Sequence, residues 1–150
     1  MDIIMIKKSL VIVFASLLLI SACDGGKKNQ KLEDMIPAKF LQAPTTMTFD
    51  EASYDFDTIV QGTKVVHEFS FTNSGKNPLI IVNGFGTCGC TVPEYPKDPI
   101  APGEKRKIKV QFNSNKKAGQ QNKKVILIAN TQPSKNEIGI TAYVKVPNEN

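Results

Sequence analysis

Residues 64–82 read KVVHEFSFTNSGKNPLIIV, and this stretch decides the fold. Its first half alternates between an apolar and a polar face, which is typical of a strand with one buried side, because successive side chains of a strand point to opposite faces. A cluster of turn residues at 73–78 and a fully apolar run at 79–82 follow, so the stretch predicts two strands joined by a turn. The apolar face carries Val65, His67, Phe69 and Phe71, and the polar face carries Lys64, Glu68, Ser70 and Thr72.

The same pattern recurs along the chain from about Thr45. Short apolar or alternating runs are separated by turn residues such as those at 101–104, while residues 113–122 are predicted to form a polar loop. Seven or eight strands over about 100 residues, with no helix longer than one turn, predict an all-β domain of two packed sheets, a β-sandwich. A jelly roll or a small barrel fits the strand count less well. The other predicted strands cover residues 47–49, 54–56, 108–112, 125–129 and 138–146.

The inward faces of these strands predict the core. Asp55 and Asp57 are expected together on one face of their strand, but two carboxylates alone are a poor signal of catalysis. Three glycines within Gly84–Cys90 predict bulges or a close approach of two backbones. The residues expected in the core are Phe69, Phe71, Leu79, Ile81, Ile108, Val110, Phe112, Leu127, Ile140 and Ala142.

The start of the chain resembles a bacterial lipoprotein signal. Lys7 and Lys8 precede a 14-residue apolar stretch, residues 9–22, which is shorter than the roughly 20 residues that a membrane span needs. The run LISAC at residues 19–23 resembles a lipobox, with Ile20 at the position where leucine is usual. Residues 1–22 are therefore predicted to be a lipoprotein signal peptide and Cys23 the lipidated residue. The alternative is an ordinary secretory signal followed by a coincidental cysteine.

This interpretation sets the expected organisation and location. Residues 23–44 are predicted to be the lipidated amino terminus and a flexible tether, and residues 45–148 the sandwich domain. Lipid chains would hold the protein on a membrane of the cell envelope. We expect a periplasm-facing orientation, because residues 25–28, Gly-Gly-Lys-Lys, contain no acidic cluster that resembles a surface-export signal.

Composition limits the function further. Removing residues 1–22 takes away Lys7, Lys8 and Asp2 and leaves 17 basic and 13 acidic side chains, a net charge of +4. The remaining 128 residues suffice for one domain with a core and are too few for two. A mildly basic extracytoplasmic protein is not expected to bind nucleic acid. The chain has no tryptophan and one histidine, and no nucleophile elbow, zinc-protease motif or phosphate loop, so we expect no enzyme and no cofactor.

One segment, together with the strands around it, resembles a known family. Residues 56–59, 69–75, 88–91 and 99–103, which read FDTI, FSFTNSG, CGCT and PIAPG, follow the order seen in the bacterial domain of unknown function 1573, a domain common in Bacteroidetes lipoproteins and similar to Hydin-type immunoglobulin-like domains. The likeness runs from about Phe49 to Val146. It departs at Asp57, where the family more often has glycine. The resemblance implies an immunoglobulin-like sandwich in a small lipoprotein and supplies no activity.

Cys88 and Cys90 admit three interpretations. They can be structural, as a small disulfide or as two small buried side chains; they can exchange electrons with a partner; or they can bind a soft metal such as Cu(I) or Zn²⁺. Side chains at i and i+2 of a strand share a face, but their α-carbons lie about 6.5–7 Å apart, so Gly89 would have to bend the backbone for a bridge. A closed zinc site needs four ligands, and His67 is the only histidine.

The expected function is that of a membrane-anchored binding or assembly module with a protein or glycan partner. The alternative is a thiol-redox or soft-metal-handling lipoprotein that uses Cys88 and Cys90. His67 is expected at the rim of the core rather than in a site. A basic set near residues 105–124 is expected to form a solvated strand edge whose lysines block strand addition, and contact with anionic headgroups or glycans is the alternative. That set is Lys105, Arg106, Lys107, Lys109, Lys116, Lys117, Lys123 and Lys124.

Overall fold

The computed structural model describes Ala38 and residues 43–147. The signal peptide, Cys23 and nearly all of the tether lie outside the described residues. Within the described part, no helix is long and apolar enough to cross a bilayer. The described residues form eight strands, which confirms the all-β prediction: β1 (Met47–Phe49), β2 (Ser53–Val60), β3 (Lys64–Asn73), β4 (Ile81–Gly86), β5 (Thr91–Glu94), β6 (Lys105–Asn113), β7 (Gly119–Ala129) and β8 (Lys135–Lys145).

The strands form two four-stranded sheets. Sheet 1 has the order β1-β3-β6-β5 and sheet 2 the order β2-β8-β7-β4. All neighbours are antiparallel except β2 and β8, which run parallel. β3 and β6 pair along nine residues, from Lys64 opposite Asn113 to Thr72 opposite Lys105. This register puts the apolar faces of both strands on the same side of sheet 1, because cross-strand partners point to the same face.

The core lies between the sheets. All ten residues expected there are buried, which confirms the faces assigned from the alternation. Phe69, Phe71 and Phe112 are fully inaccessible to solvent and belong to one contiguous apolar cluster with residues of both sheets. Burying side chains of this size gives about 1.5–3 kcal/mol each relative to leaving them exposed, so these aromatics dominate the packing of the domain.

Two predicted boundaries were wrong. Residues 119–122 were expected in a polar loop, yet they begin β7 and pair with β8, with Gly119 opposite Val144. These residues are polar because this part of β7 lies outside the core and is exposed or half-buried along its length. The apolar run 79–82 is not one strand either. Leu79 makes an isolated bridge to Ile100, and β4 starts only at Ile81 and continues through Gly84 and Gly86.

Asp57 occupies an unusual backbone conformation. Its φ angle is +54°, in the left-handed region that glycine adopts most readily, and the pairing of β2 with β8 shifts between Asp55 and Thr58. The Asp57 amide donates to Asp55 Oδ1 over 3.0 Å, a local bond that suits aspartate at such a position. The bulge interrupts the alternation that had placed both carboxylates on one face. It also accounts for the glycine that the family prefers here.

The two ends of the sandwich differ in their chain segments. We call proximal the end where the described chain begins at Ala43, because the amide of Thr45 donates to Asn130 O at the end of β7. We call distal the opposite end, where Ser114 of the β6–β7 loop donates through its amide to Thr63 O. The proximal turns comprise residues 73–78, 101–104 and 130–134, and the distal turns residues 60–63 and 113–118.

Candidate functional site: the Cys88–Cys90 turn and the distal end

The two cysteines lie in the turn that carries the chain from β4 of sheet 2 to β5 of sheet 1. Their sulfur atoms are bonded at 2.07 Å, and their α-carbons are 5.3 Å apart. That separation is shorter than the roughly 6.5–7 Å between such residues in a strand, so the backbone bends at Gly89. The amide of Thr91 donates to Cys88 O over 3.2 Å and closes the turn. Gly89 is exposed, and a β-carbon there would meet no atom within 4 Å.

Main-chain hydrogen bonds fix this turn to both sheets. On the side of sheet 2, the amide of Thr87 donates to Lys124 O over 2.9 Å. On the side of sheet 1, the amide of Asn113 donates to Cys90 O over 2.9 Å. Backbone bonds of this kind do not depend on the sulfur–sulfur bond. The path of the turn is therefore set by the strands on either side of it.

Two glycines of β4 allow the strands around the turn to approach closely, as their spacing predicted. A β-carbon at Gly86 would lie 2.2 Å from Thr91 O, and one at Gly84 would lie 2.7 Å from the ring of Tyr95. Any side chain at Gly86 would push β5 away, because the nearest atom is backbone.

The surroundings of the two sulfur atoms are not equivalent. Both cysteines are half-buried, but Cys90 packs against the core cluster. Thr91 is buried, and its hydroxyl lies 3.6 Å from Cys88 Sγ and 3.9 Å from Cys90 Sγ. Disulfide sulfurs carry no hydrogen, so the Thr91 hydroxyl is the donor in both contacts. The two cysteines therefore differ in that Cys90 contacts the core and Cys88 lies nearer to the Thr91 hydroxyl.

His67 lies away from the cysteines, at the rim of the core beside β2. Its Nε2 is 2.6 Å from Glu51 Oε1, and its ring stacks on Tyr54 with centroids 3.6 Å apart. The strand orders place β2 and β4 at opposite edges of sheet 2, so the histidine and the cysteine turn lie on opposite sides of the sandwich. No cluster of three His, Cys, Asp or Glu side chains suited to a metal occurs in the described part of the chain. The soft-metal alternative gains no third ligand from this arrangement.

The basic set does not form a strand edge, which corrects the prediction. β6 and β7 are interior strands, and sequence alone could not show which strands flank them. Lys105, Lys107 and Lys109 of β6 lie on the outer face of sheet 1 and pair with carboxylates of neighbouring segments. A hydrogen bond from Lys107, 2.7 Å long, lowers the pKa of Glu68 below its ordinary value. The ion pairs are Lys105–Asp50, Arg106–Glu104, Lys107–Glu68, Lys109–Glu94 and Lys124–Glu137.

Exposed apolar side chains gather near the distal end, and the sequence reasoning did not single them out. Among the large apolar side chains of the described residues, the five most exposed all lie within three residues of a strand end there. Val66 could have been noticed in the sequence, because it is the one apolar residue on the otherwise polar face of residues 64–72. The five are Val60 (53%), Val66 (46%), Val92 (54%), Tyr143 (51%) and Val146 (46%).

The same end carries cations without carboxylate partners. None of Lys64, Lys116 and Lys117 forms an ion pair with any residue that the structure describes. Val66, Gln111 and Val92 form one cross-strand row on the outer face of sheet 1, next to the row of Lys64 and Asn113. The distal end therefore combines exposed apolar groups with unpaired positive charge.

A known protein family matches most of the sandwich domain in sequence. The profile described as "Protein of unknown function (DUF1573)" matches residues 47–144. The chain belongs to this family. No curated protein matches the sequence of this chain.

Solved structures show the same fold at low sequence identity. A protein of unknown function from Porphyromonas gingivalis W83 is 14% identical with a TM-score of 0.59, and the match covers 67% of this chain and 47% of that one. The ASH/PapD-like domain 7 of human CEP192 is 10% identical with a TM-score of 0.53, over 70% of this chain and 89% of that domain. The secreted serine protease VesC from Vibrio cholerae is 14% identical with a TM-score of 0.50, over 71% of this chain and 24% of the protease.

These likenesses show an immunoglobulin-like sandwich, as predicted. The chain spans under half of the Porphyromonas protein and about a quarter of VesC. At such identities the likeness extends to the fold alone, because one sandwich architecture serves many unrelated functions.

Proposed function

We propose that this protein is an extracytoplasmic lipoprotein of the cell envelope, anchored by lipid on Cys23 and facing the periplasm, whose sandwich is a binding or assembly module. The anchor is supported by the basic start, the apolar stretch 9–22 and the cysteine that closes it. Two or three acyl chains would hold the protein on the membrane, since each buried methylene contributes about 0.8 kcal/mol. The twenty residues from Cys23 to the sandwich can span at most about 70 Å.

The observation that carries the binding function is the contrast between the ends of the sandwich. The tether joins the sandwich at the proximal end, so the distal end is the one farther from the attachment point of the anchor. Single exposed apolar residues are ordinary on protein surfaces, but their concentration at one end of a small domain is typical of a contact surface. Val66 and Val92 lie together on the outer face of sheet 1, whereas Tyr143 lies on the outer face of sheet 2, so the row of Val66, Gln111 and Val92 is the contact surface that we propose for a partner in the periplasm.

The chemistry of the distal end favours a protein partner over a glycan. Val66 and Val92 offer apolar contact area, and Lys64, Lys116 and Lys117 offer charge to acidic groups at the rim. A polyanionic glycan would use the lysines and leave the valines in water. A protein with an apolar contact patch and carboxylates around it satisfies both. No nucleic acid and no catalytic step are part of this proposal.

Site-specific photo-crosslinking in intact cells tests the binding surface. A photoreactive residue at Val92 should give one discrete protein adduct, while the same residue at Lys76, an exposed position of a proximal turn, should not. Val66→Ser should weaken the adduct at position 92 about tenfold, because burying a valine side chain contributes about 1.5–3 kcal/mol. Lys116→Gln with Lys117→Gln should weaken it less. Equal adducts at both ends would contradict the proposal, and loss with the lysine variants alone would indicate a polyanion.

The anchor has a separate test. Incorporation of labelled palmitate should depend on Cys23 and disappear in Cys23→Ser, which should accumulate as an uncleaved precursor. Cys88→Ser with Cys90→Ser is the matched control and should keep the label. Undiminished label in Cys23→Ser would remove the lipoprotein interpretation while leaving the binding surface open to its own test.

A further inference from the structure

We propose that the Cys88–Cys90 turn is a thiol–disulfide exchange site for a protein dithiol. The binding function leaves this turn unused, although it is the most unusual segment of the described chain. Three observations carry the assignment: the bridge closes a loop of only three residues, only one of its two half-buried cysteines packs against the core, and a buried hydroxyl lies within 4 Å of both sulfurs.

The bridge is a weak structural element because of its size. It closes a loop of only three residues, and the stabilisation that a disulfide gives by restricting the unfolded chain grows with loop length. The turn is also held without the sulfurs, through the bonds from Thr87 to Lys124 and from Asn113 to Cys90. The bond can therefore open and close while the sandwich remains folded.

The geometry assigns different roles to the two sulfurs. Both cysteines are half-buried, but only Cys90 packs against the core cluster, so we assign Cys88 Sγ as the sulfur that an incoming thiolate attacks. Cys90 packs against the core and is the enclosed partner. Exchange requires the attacking sulfur, the attacked sulfur and the leaving sulfur to lie in line, and an exposed turn leaves that approach free.

The reaction can be written in balanced form. A thiolate of the partner dithiol attacks Cys88 Sγ, the Cys88–Cys90 bond breaks, and Cys90 leaves as a thiolate that takes up a proton from water. The second partner thiol, as thiolate, then attacks the partner sulfur of the mixed disulfide and releases Cys88, which is protonated in turn. The bridge gains two electrons and two protons, and the partner dithiol loses them and becomes a disulfide. The reverse sequence oxidises a reduced partner site.

Thr91 is the positioning residue for this step. Its hydroxyl is buried and donates towards both sulfurs, at 3.6 and 3.9 Å, distances that are long for a neutral acceptor. Hydrogen bonds strengthen when the acceptor becomes charged. The hydroxyl can therefore turn towards Cys90 and stabilise the thiolate that develops there when the bridge opens, and among the described residues its side-chain contacts are the two sulfurs alone.

The experiment uses the full chain with Cys23→Ser, in which Cys88 and Cys90 are the only cysteines. The probe is thioredoxin whose second active-site cysteine is replaced by serine, so that a mixed disulfide accumulates. Peptide mapping should find the adduct on Cys88. Unmodified thioredoxin should open the bridge while circular dichroism and cooperative thermal unfolding stay those of a folded sandwich. An adduct that forms only in denaturant, or unfolding that accompanies reduction, would overturn the proposal.

Variants of Thr91 separate exchange from a structural role. Thr91→Val keeps the shape and removes the hydroxyl, and it should slow opening by thioredoxin about tenfold, in line with the loss of a hydrogen bond to a charged group. Thr91→Ser should restore the rate to within about twofold. Thr141→Val, which removes a half-buried hydroxyl on β8, is the control and should leave the rate unchanged. Equal rates in wild type and Thr91→Val would remove Thr91 from the site, and a trapped adduct on Cys90 would reverse the roles of the sulfurs and contradict the assignment.

Discussion

The two ends of the sandwich use their polar and apolar groups in opposite ways. At the proximal end, Asn73 is fully buried, and its side chain makes four hydrogen bonds. Its Oδ1 accepts from the Thr45 hydroxyl (2.7 Å) and the Gly75 amide (3.2 Å), and its Nδ2 donates to Asn77 O and Ile100 O, both at 2.9 Å. At the distal end, by contrast, four valines and one tyrosine are exposed to solvent.

A second asparagine completes the proximal network. Asn130, also buried, accepts from the Ile80 amide at 2.8 Å and donates to Pro78 O at 2.9 Å and to Ala43 O at 3.3 Å. Among the described residues, no buried side-chain nitrogen or oxygen lacks a partner. The buried polar side chains are therefore satisfied internally at both ends, since at the distal end the buried Ser114 hydroxyl contacts Val60 O and Thr63 O. The ends differ in what they expose, because the distal end adds exposed apolar side chains and lysines that form no ion pair with the described residues.

The largest expected effect comes from the core beneath the proximal turns. Phe71 is fully buried, so Phe71→Ala should lower the free energy of unfolding by about 3–5 kcal/mol through lost burial and the cavity that remains. Val66→Ala is the matched control, because it lies on the same strand near the distal end with its side chain half exposed, and it should change stability by less than about 0.5 kcal/mol. Chemical denaturation measures both. Similar losses in the two variants would show that the faces of β3 are assigned wrongly.

The proximal network itself gives the next effect. Asn73→Ala removes four hydrogen bonds and leaves buried groups such as Ile100 O without a partner, so we expect a loss of about 2–3 kcal/mol. Asn122→Ala, an exposed asparagine in the distal half of β7, should change stability within about 0.5 kcal/mol. Denaturant unfolding again provides the measurement. If the two substitutions lowered the free energy of unfolding equally, the contrast between the ends would lose its energetic basis.

Removing the disulfide should lower the free energy of unfolding less than Phe71→Ala or Asn73→Ala does. For a loop of three residues, the chain-entropy estimate gives about 1.6 kcal/mol of stabilisation. Cys88→Ala with Cys90→Ala should therefore unfold about 1.6 kcal/mol more easily and keep its sandwich, as monitored by circular dichroism. A loss of about 4 kcal/mol or more would make the bridge a structural element and would argue against its exchange with a partner.

Much of the fold could be predicted because period-two alternation is a local signal. The faces of β3 and β6 follow directly from their sequences, and both proved correct in the core. Strand neighbours are a non-local property, and for this reason the lysines of β6 were assigned to an edge although the strand lies between β3 and β5. The polar start of β7 was mistaken for a loop, since beyond the core a strand has no apolar face to reveal it.

The candidate site was predictable only in part. The glycines and cysteines of the turn are visible in the sequence, and so is the close backbone approach that they require. The role of Thr91 is not, because its hydroxyl is placed by β5 pairing with β6, opposite Phe112. The exposed apolar side chains of the distal end come from β2, β3, β5 and the end of β8, which lie far apart in the sequence. Only Val66 can be recognised locally, as an apolar residue on a polar strand face.

The smallest expected effect is a pH dependence at the proximal turn 101–104. The amide of Ala101 donates to Glu104 Oε2 over 2.8 Å, and Arg106 pairs with Oε1; these contacts, the backbone bond first, lower the pKa of Glu104 below its ordinary value of 4.5. A folded-state pKa that is lowered contributes stability above the unfolded-state pKa, and this contribution disappears as the pH falls through the folded value. The melting temperature of wild type should therefore exceed that of Glu104→Gln near neutral pH, and the difference should shrink as the pH falls below about 4.5 and be lost once the pH has passed through the lowered folded-state pKa. Asp98→Asn, which removes an exposed carboxylate that forms no ion pair with the described residues, is the matched control for the loss of one negative charge. If the Glu104→Gln difference stayed constant from pH 7 to pH 3, the carboxylate charge would have no part in holding the proximal turn, and the rigidity of that end would rest on its asparagines alone.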